Sequence, residues 1–452
     1  MTEAPLSYAM RNVPRYTSYP TAPHFHGGIT SDTYAQWLAK LSPEDSLSLY
    51  LHVPFCRDIC HYCGCHTKAT RQDGPLLAYG ITLEQELELV SGHIKNSGPV
   101  RHIHWGGGTP SLLPEESLLN LANSIRSLFD SEPDIEHAIE LDPRFVTSSL
   151  AETLARMGVN RTSLGVQDFD PAVQKAIGRI QSYELVRIAV ENLRSAGLNA
   201  LNFDLMYGLP GQTPETIQET VARSIALQPS RIALFGYAHV PWMKKHQRLI
   251  DESLLPGTSE RLELAETARS ALQAAGYVAI GLDHFARPDD SMAIAEKSGD
   301  LKRNFQGYTT DRGDSLIGLG VSSIGKLQQG YVQNISDVGN WRRAISENNL
   351  PTARGIAFSM NDRLRGQIIE RLMTDHACDL SKVCAQFSEA PQALMTSIDT
   401  LKPLIEDKLV RVDEWKVTVL AKGRPYVRLI AAAFDAYLPG AEAGAKRHSM
   451  AV

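Results

Sequence analysis

From about residue 47 to residue 290 the chain alternates between short apolar runs and longer stretches in which apolar side chains return every third or fourth position. The short runs are LSLYLHVPF from 47, VRHIHW from 100, HAIELD from 137, RTSLGVQ from 161, ALNFDLMYG from 200, RIALFGYAHV from 231 and YVAIGLDHF from 277. Helical patterns lie between them, among them LLAYGITLEQELELV from 76, YELVRIAVENLRSAG from 183 and SERLELAETARSALQAAG from 259. Strand, helix and strand at this pitch predict parallel βα units, about six of them, rather than hairpins. Three helices end alike, in ARMGVN, RSAGLN and QAAGYV, where Gly158, Gly197 and Gly276 supply the left-handed conformation that stops a helix just before an apolar strand. A barrel and a doubly wound sheet share this local pattern, and in either one ligands gather at the C-terminal ends of the strands.

The flanks read differently. Residues 1–30 are rich in Pro, Tyr, Thr and His without a period, which predicts an arm that must dock on another surface. Past about residue 350 come short helical patterns, then LVRVDEWKVTVL from 409 as a hairpin, then a long helix from Arg424 to Leu438 whose alanine-rich IAAAFDAYL favours helix. The organisation expected is an arm over 1–30, an α/β core over 31–350 and a small, mainly helical C-terminal domain over 351–452.

Composition narrows the class. Of 452 residues, 43% are hydrophobic and 21% charged, which excludes a disordered or collagenous chain. A net charge of −6 without a basic tail argues against nucleic acid or anionic lipid as a bulk-charge partner. The N-terminal stretch is polar and no run of 18 apolar residues occurs, so neither secretion nor a membrane span is expected and the cytoplasm is the expected location. In that compartment closely spaced cysteines are metal ligands or redox groups more often than disulfides. Four of the six cysteines, Cys56, Cys60, Cys63 and Cys65, fall within ten residues, while Cys378 and Cys384 read as buried thiols.

The segment CRDICHYCGC from 56 places C-x3-C-x2-C at the end of a strand, with Cys65 two residues beyond. Structural zinc usually takes ligand pairs from separate loops. Three thiolates from one loop can hold three corners of a [4Fe–4S] cube and leave the fourth iron open, whereas electron-transfer clusters take four cysteines. A zinc loop, a reducible disulfide and a ferredoxin-like carrier using Cys65 as a fourth ligand remain alternatives at this point. With the aromatic Tyr62 before the third cysteine, the loop resembles that of the radical SAM superfamily, in which a [4Fe–4S] cluster binds S-adenosylmethionine (SAM) at its open iron. HWGGGTP from 104 follows the next strand and resembles the superfamily's glycine-rich SAM-binding segment, where absent Cβ atoms let backbone approach a ligand. Glu140 in IELDP, at the end of the strand after that, is by the same resemblance a SAM contact.

A longer series narrows the likeness. RYTSYPTAPHF from 15, YLHVPFC from 50, CGC from 63, HWGGGTPS, IELDPR, GVQDF from 165, FDLMYGLPGQT from 203, GYAHVP from 236, DHFARPDD from 283 and RNFQGYTT from 303 resemble, in order, the oxygen-independent coproporphyrinogen III oxidase family. The resemblance implies a partial (βα)6 TIM-like barrel, cluster ligation by Cys56, Cys60 and Cys63, and one SAM contacted by Tyr50, Gly107, Glu140 and Ile324. It implies a second SAM beside Tyr62, Gly108, Thr109, Gln167, Arg179, Asp204 and Ala238, with Cys65 needed for activity without holding the cluster. The implied reaction is oxidative decarboxylation of two propionates of coproporphyrinogen III to vinyls, giving protoporphyrinogen IX in anaerobic heme biosynthesis. An unactivated β-carbon offers no acidic proton, so the step needs a radical rather than a base.

The same resemblance implies a monomer served by a low-potential donor such as flavodoxin or ferredoxin. The alternatives are the related heme chaperone and a heme-degrading radical SAM methyltransferase; Cys65 and the YTSYPT arm favour the oxidase. Carboxylates of the substrate call for arginine forks, for which Arg15, Arg287 and Arg303 are candidates beside His284, Asn304 and Gln306. The arm is expected to cover the site. His24, His26, His52, His102 and His104 read as core or rim histidines, Trp105 as packing, and Asp289–Asp290 as a loop turn.

Overall fold

The computed structural model describes residues 6–438, so the first residues of the expected arm and the last of the expected C-terminal domain lie outside the described residues. Strands β1 (Leu47–Val53), β2 (Val100–Gly107), β3 (Ser131–Leu141), β4 (Arg161–Gln167), β5 (Ala200–Tyr207) and β6 (Arg231–Gly236) lie side by side and parallel. The helices that return the chain are α1 (Gly74–His93), α2 (Glu115–Leu128), α3 (Ser148–Arg156), α4 (Tyr183–Ser195) and α5 (Pro214–Ala226), with α6 (Thr258–Ala274) following β6. Gly158, Gly197 and Gly276 sit at φ of +82°, +87° and +88°, as the helix-stop pattern requires.

The sheet runs on past both ends of this arc. β8 (His284–Ala286) adds to β6 antiparallel, and β7 (Val278–Ile280) pairs antiparallel with β8 at the sheet edge. The single strand expected from 277 is thus two, broken at Gly281, where φ is +55° and a Cβ would strike the Tyr308 ring. On the other side β9 (Ser315–Leu319) joins β1 in parallel, and β10 (Ile324–Leu327), β11 (Gly330–Asn334) and β12 (Thr352–Ala357) follow antiparallel. Among the described residues β6 pairs with β8 and not with β9, so the parallel strands form an open arc.

One apolar cluster spans Ile29 to Leu350 between sheet and helices, and includes Trp105, whose indole N–H donates to His137 at 2.8 Å. A second joins Tyr8, Tyr16 and Tyr19 of the arm to residues between Leu364 and Phe434, so the arm docks on the C-terminal region. Cys378 and Cys384 are buried there as unbridged thiols. The 409–420 hairpin is present as Val410–Asp413 paired with Lys416–Val419. The long helix expected from Arg424 is not. Pro425, lacking an N–H, lies in a 3-10 turn over Ala421–Tyr426, and α-helix covers only Val427–Ala432.

Candidate active site: the cluster loop and the barrel mouth

β1 delivers the chain to Cys56 at the C-terminal edge of the sheet, and the loop after it carries the four cysteines. All four are free thiols. Each of the first three meets a polar group: Thr109 Oγ1 donates to Cys56 Sγ at 3.6 Å, Arg179 Nη1 donates to Cys60 Sγ at 3.4 Å, and Thr67 Oγ1 lies 3.8 Å from Cys63 Sγ. A hydrogen bond from the Cys65 thiol lowers Cys63 to about 6 and correspondingly raises Cys65. Burial dominates at Cys56, which rises to about 11. Cys65 is exposed, unlike the other three. The loop is pinned from above: Gln247 donates to the Tyr62 carbonyl at 3.0 Å, His246 meets the Cys63 carbonyl at 2.7 Å, and Lys244 donates to that of Cys65 at 2.8 Å.

The glycine triplet ends β2 directly against this loop. Gly107 has φ +112°, and a Cβ there would lie 2.5 Å from the His52 ring. At Gly108 it would meet the Phe55 carbonyl oxygen at 2.6 Å, and at Gly106 Glu140 Oε1 at 2.8 Å. Backbone at Gly108 and the positive φ at Gly107 require glycine, while a side chain at Gly106 would displace Glu140. Glu140 Oε2 accepts from the Gly107 N–H at 3.1 Å, and Oε1 lies 3.2 Å from His104 Nε2. Burial works to raise the Glu140 pKa, but the His104 contact and the Gly107 N–H outweigh it and hold the carboxyl below its usual range. Tyr50 Oη lies 2.9 Å from His52 Nδ1, and burial takes His52 down to about 4, so that ring is neutral at pH 7.

Arg179, buried, spans Cys60, Asp142 Oδ2 at 3.3 Å and the Gly165 carbonyl at 2.8 Å. Its Nε has no partner. Gln167, at φ +67°, folds back beside Gly165 and Arg179. Below the triplet a cavity of about 150 Å³ opens, lined in part by His104, Glu140, Ser163, Asn202 and Asp204. Asn202 and Ser163 donate to the Asp204 carboxylate at 2.9 and 3.1 Å, while Asn202 Oδ1 is buried without a donor. Burial and the charge of Glu140 push Asp204 to about 6.

Tyr62 packs beside Tyr237 and Ile177, and the Ala238 carbonyl accepts from the same Gln247 amide. Ile324 stands on the opposite flank, next to Gly318, the register partner of Tyr50. The structure thus gathers Tyr50, Gly107, Gly108, Thr109, Glu140, Gln167, Arg179 and Asp204 around the cluster loop, with Ala238 and Ile324 at its two borders.

Several expectations sharpen or change. His52 and His104 hold the expected core or rim positions, and from them they back the glycines and Glu140. Asp142, two residues after Glu140 and so on the same strand face, compensates Arg179 and ion-pairs with Arg144 at 2.6 Å, a role its place in IELDPR signals. Asp290 does more than turn a loop, since it caps the helix from Ser291 and pairs with Arg231 at 2.6 Å and Arg161 at 3.2 Å. Arg287 is excluded from the barrel mouth. Its N–H bonds Ser230 before β6 begins, at the opposite end of the strands, and its side chain is half exposed beside Asp289.

These residues fit a thiolate-held cluster and a polar nucleoside ligand: three thiols that each meet a polar group, a glycine cradle that a Cβ would fill, and two orphaned polar atoms, Arg179 Nε and Asn202 Oδ1. Among the described residues no group of three His, Cys, Asp or Glu converges to hold a single ion. A cube binds each thiolate at a different iron, so such convergence is not required of it.

The model of the Radical SAM superfamily matches residues 50–223, the stretch that carries every cluster-loop and glycine-triplet residue described above. The chain is 50% identical over 447 residues to an oxygen-independent coproporphyrinogen III oxidase of Bradyrhizobium diazoefficiens, covering 99% of each. It is 40% identical over 434 residues to one of Helicobacter pylori, covering 95% of each. Among solved structures, coproporphyrinogen III oxidase (HemN) from Escherichia coli, described as a radical SAM enzyme, superposes with a TM-score of 0.90 at 38% identity, covering 94% of this chain and 98% of that one. The open arc is accordingly the partial (βα)6 barrel of a radical SAM protein. More narrowly, the chain belongs to the oxygen-independent coproporphyrinogen III oxidase family.

Proposed function

We propose that this protein oxidatively decarboxylates two propionate side chains of coproporphyrinogen III to vinyls, giving protoporphyrinogen IX without oxygen. The observation that carries the reading is the joining, at one barrel mouth, of three unbridged thiols from a single loop to a glycine cradle backed by Glu140. When bound, the [4Fe–4S] cluster and SAM supply one-electron chemistry, a radical able to take a hydrogen atom from an unactivated carbon. For each propionate –CH2–CH2–COO⁻ the hydrogen atom would go to the SAM-derived radical, the carboxylate would leave as CO2 and the remaining electron would pass to an external one-electron acceptor, leaving –CH=CH2.

In this reading Cys56, Cys60 and Cys63 hold the cluster, and Arg179 and Thr109 stabilise thiolate charge. Glu140, with Tyr50, Gly107 and Ile324, orients the first SAM. Tyr62, Gly108, Thr109, Gln167, Arg179, Asp204 and Ala238 line the place for a second. Cys65, exposed at the mouth, is the catalytic thiol outside the ligand set. Residues 244–247 fix the loop backbone through the carbonyls of Tyr62, Cys63 and Cys65, and of the four thiols Cys60 is the one fully buried. The arm (1–30), the barrel with its covering segments (31–350) and the C-terminal domain (351–452) are the working division. No helix among the described residues is long and apolar enough to cross a membrane. A cytoplasmic monomer, reduced by a low-potential carrier such as flavodoxin or ferredoxin, completes the proposal.

The test is an anaerobic assay of the holoenzyme with SAM, a reductant and coproporphyrinogen III. Methionine and 5′-deoxyadenosine appearing with a vinyl product support it. Tight heme binding without turnover, or methyl transfer to heme, replaces it with the chaperone or the heme-degrading methyltransferase.

A further inference from the structure

A second and larger cavity, about 620 Å³, opens between the ends of β5 and β6, helix α6 and segments from both ends of the chain. Phe235 forms a wall of this cavity and also of the small one beneath the glycine triplet, so the two compartments adjoin. Apolar surface from the barrel and α6 lines much of it. Set into that surface are five arginines, Arg15, Arg261, Arg269, Arg303 and Arg428, against two acids, Glu266 and Asp283. The acids are engaged: Glu266 lies 3.9 Å from Arg269, and Asp283 is held by His284 at 2.7 Å.

Arg261 is the decisive residue. It is 8% exposed, its Nε is buried without a partner, and among the described residues no carboxylate pairs with it. Its guanidinium lies over the Tyr207 ring at 5.6 Å. Room for it is built into the sequence, since a Cβ at Gly208 (φ +80°) would collide with it and one at Gly236 would crowd it. A buried cation without a counter-charge is costly, so a fold that keeps one in an open chamber keeps it for an anion that arrives from outside.

Arg303 repeats the pattern. It stacks on Tyr308 at 4.4 Å and donates to the Arg15 and Tyr16 carbonyls at 3.2 Å each, leaving Nη1 buried and unpartnered. Arg428 grips the carbonyls of Val13 and Pro14, so the arm is clamped between two arginines and brings Arg15 to the rim. Burial first, and the charges of Arg15 and Arg303 after it, lower Arg428 to about 9.

We propose that this chamber receives the substrate, with Arg261 anchoring one propionate carboxylate and Arg303 and Arg15 taking others, while the apolar walls hold the macrocycle. The assignment rests on the function proposed above and names the binding residues for it. The chemistry recognised is a flat, largely apolar ring carrying several carboxylates; a small anion would leave the apolar walls unused. A guanidinium fork suits a carboxylate in two-pronged contact, which a lysine at the same position cannot reproduce.

Equilibrium binding to the holoenzyme under anaerobic conditions tests this, with coproporphyrin III as the fluorescent, unreactive probe and its tetramethyl ester as the uncharged control. Arg261→Gln is expected to raise Kd for coproporphyrin III about ten- to hundredfold and to leave the ester unchanged, with Arg261→Lys between the two. The thermal midpoint of Arg261→Gln is expected to equal or exceed that of the wild type, because an uncompensated charge has been removed. Equal weakening of acid and ester, an unchanged Kd for the acid, or a lowered midpoint accompanied by lost ester binding each overturns the anchor. The two readings fail separately. Wild-type turnover with an unchanged KM in Arg261→Gln removes the chamber and leaves the reaction; Arg261-dependent binding without vinyl formation by the wild type removes the reaction and leaves the chamber.

Discussion

At the cluster end of the barrel each buried charge faces a partner within the protein, Arg179 and Arg144 sharing Asp142 and Glu140 meeting His104 and the Gly107 N–H. In the chamber of about 620 Å³ beside it, guanidinium groups outnumber carboxylates among the described residues, and none of those carboxylates pairs with Arg261. The first region carries its own compensation and is built before any ligand arrives. The second leaves its compensation to the ligand. A site for a cofactor that stays can be closed electrostatically, whereas one for a substrate that comes and goes must gain its stability on binding.

The strongest break of this contrast lies in the thiols. Cys56→Ala, Cys60→Ala and Cys63→Ala should each abolish bound iron and all SAM cleavage, read by iron content and the visible absorbance of the reconstituted protein. Cys65→Ala should retain iron and lose decarboxylation. Loss of the cluster in Cys65→Ala as well would make Cys65 a fourth ligand and close the iron that SAM needs.

The cysteine loop, and most of the cluster end, can be read from the chain because the relevant atoms are neighbours in sequence, whereas the division into three ligands and Cys65 is what the family resemblance implies and what these variants test. Three thiols lie within eight residues, and three glycines stand in a row where backbone must approach a ligand. The parallel strands are equally legible, since apolar runs and left-handed glycine stops are local signals. The chamber is not legible. Arg261 reads as one charge on an amphipathic helix, and only folding sets it opposite Tyr207, Gly208 and Gly236. Arg428 lies in a C-terminal segment without a motif, yet it holds the arm by the carbonyls of Val13 and Pro14, 414 residues away in the case of Pro14. Arg287 shows the reverse error, a plausible fork in a family-like segment that the fold carries to the wrong end of the barrel.

The comparison also predicts opposite stability changes for two neutralising substitutions. Asp142→Asn strands Arg179 and Arg144, both partly or wholly buried, and should cost about 3 kcal/mol, lowering the thermal midpoint and loosening the cluster loop through Cys60. Arg261→Gln should cost nothing. Midpoints for the two variants, measured side by side, decide whether the cluster end is compensated and the chamber is not. A fall in both would place Arg261 in a structural network like that of Arg179.

A pH-dependent effect comes from a third kind of buried charge, Glu86 on α1, which among the described residues has dipolar donors but no cation. It accepts from the Gly320 N–H at 2.7 Å, Asn334 Nδ2 at 2.6 Å and Trp341 Nε1 at 3.0 Å. Burial outweighs these bonds and raises its pKa from 4.5 to about 7. With the folded pKa above the unfolded one, its favourable contribution is complete below pH 4.5, declines as pH rises, and is lost above pH 7. At pH 8 the penalty is about 3 kcal/mol, because each tenfold change in proton affinity between the unfolded and folded chain is worth about 1.4 kcal/mol. Glu86→Gln keeps an acceptor without the charge, so the variant should gain on the wild type between pH 5 and pH 8. Other groups titrate alike in both proteins and cancel in the difference between their midpoints. Parallel midpoints across that range would mean that the three donors satisfy the carboxylate fully, and that dipoles alone can do for Glu86 what Asp142 does for Arg179.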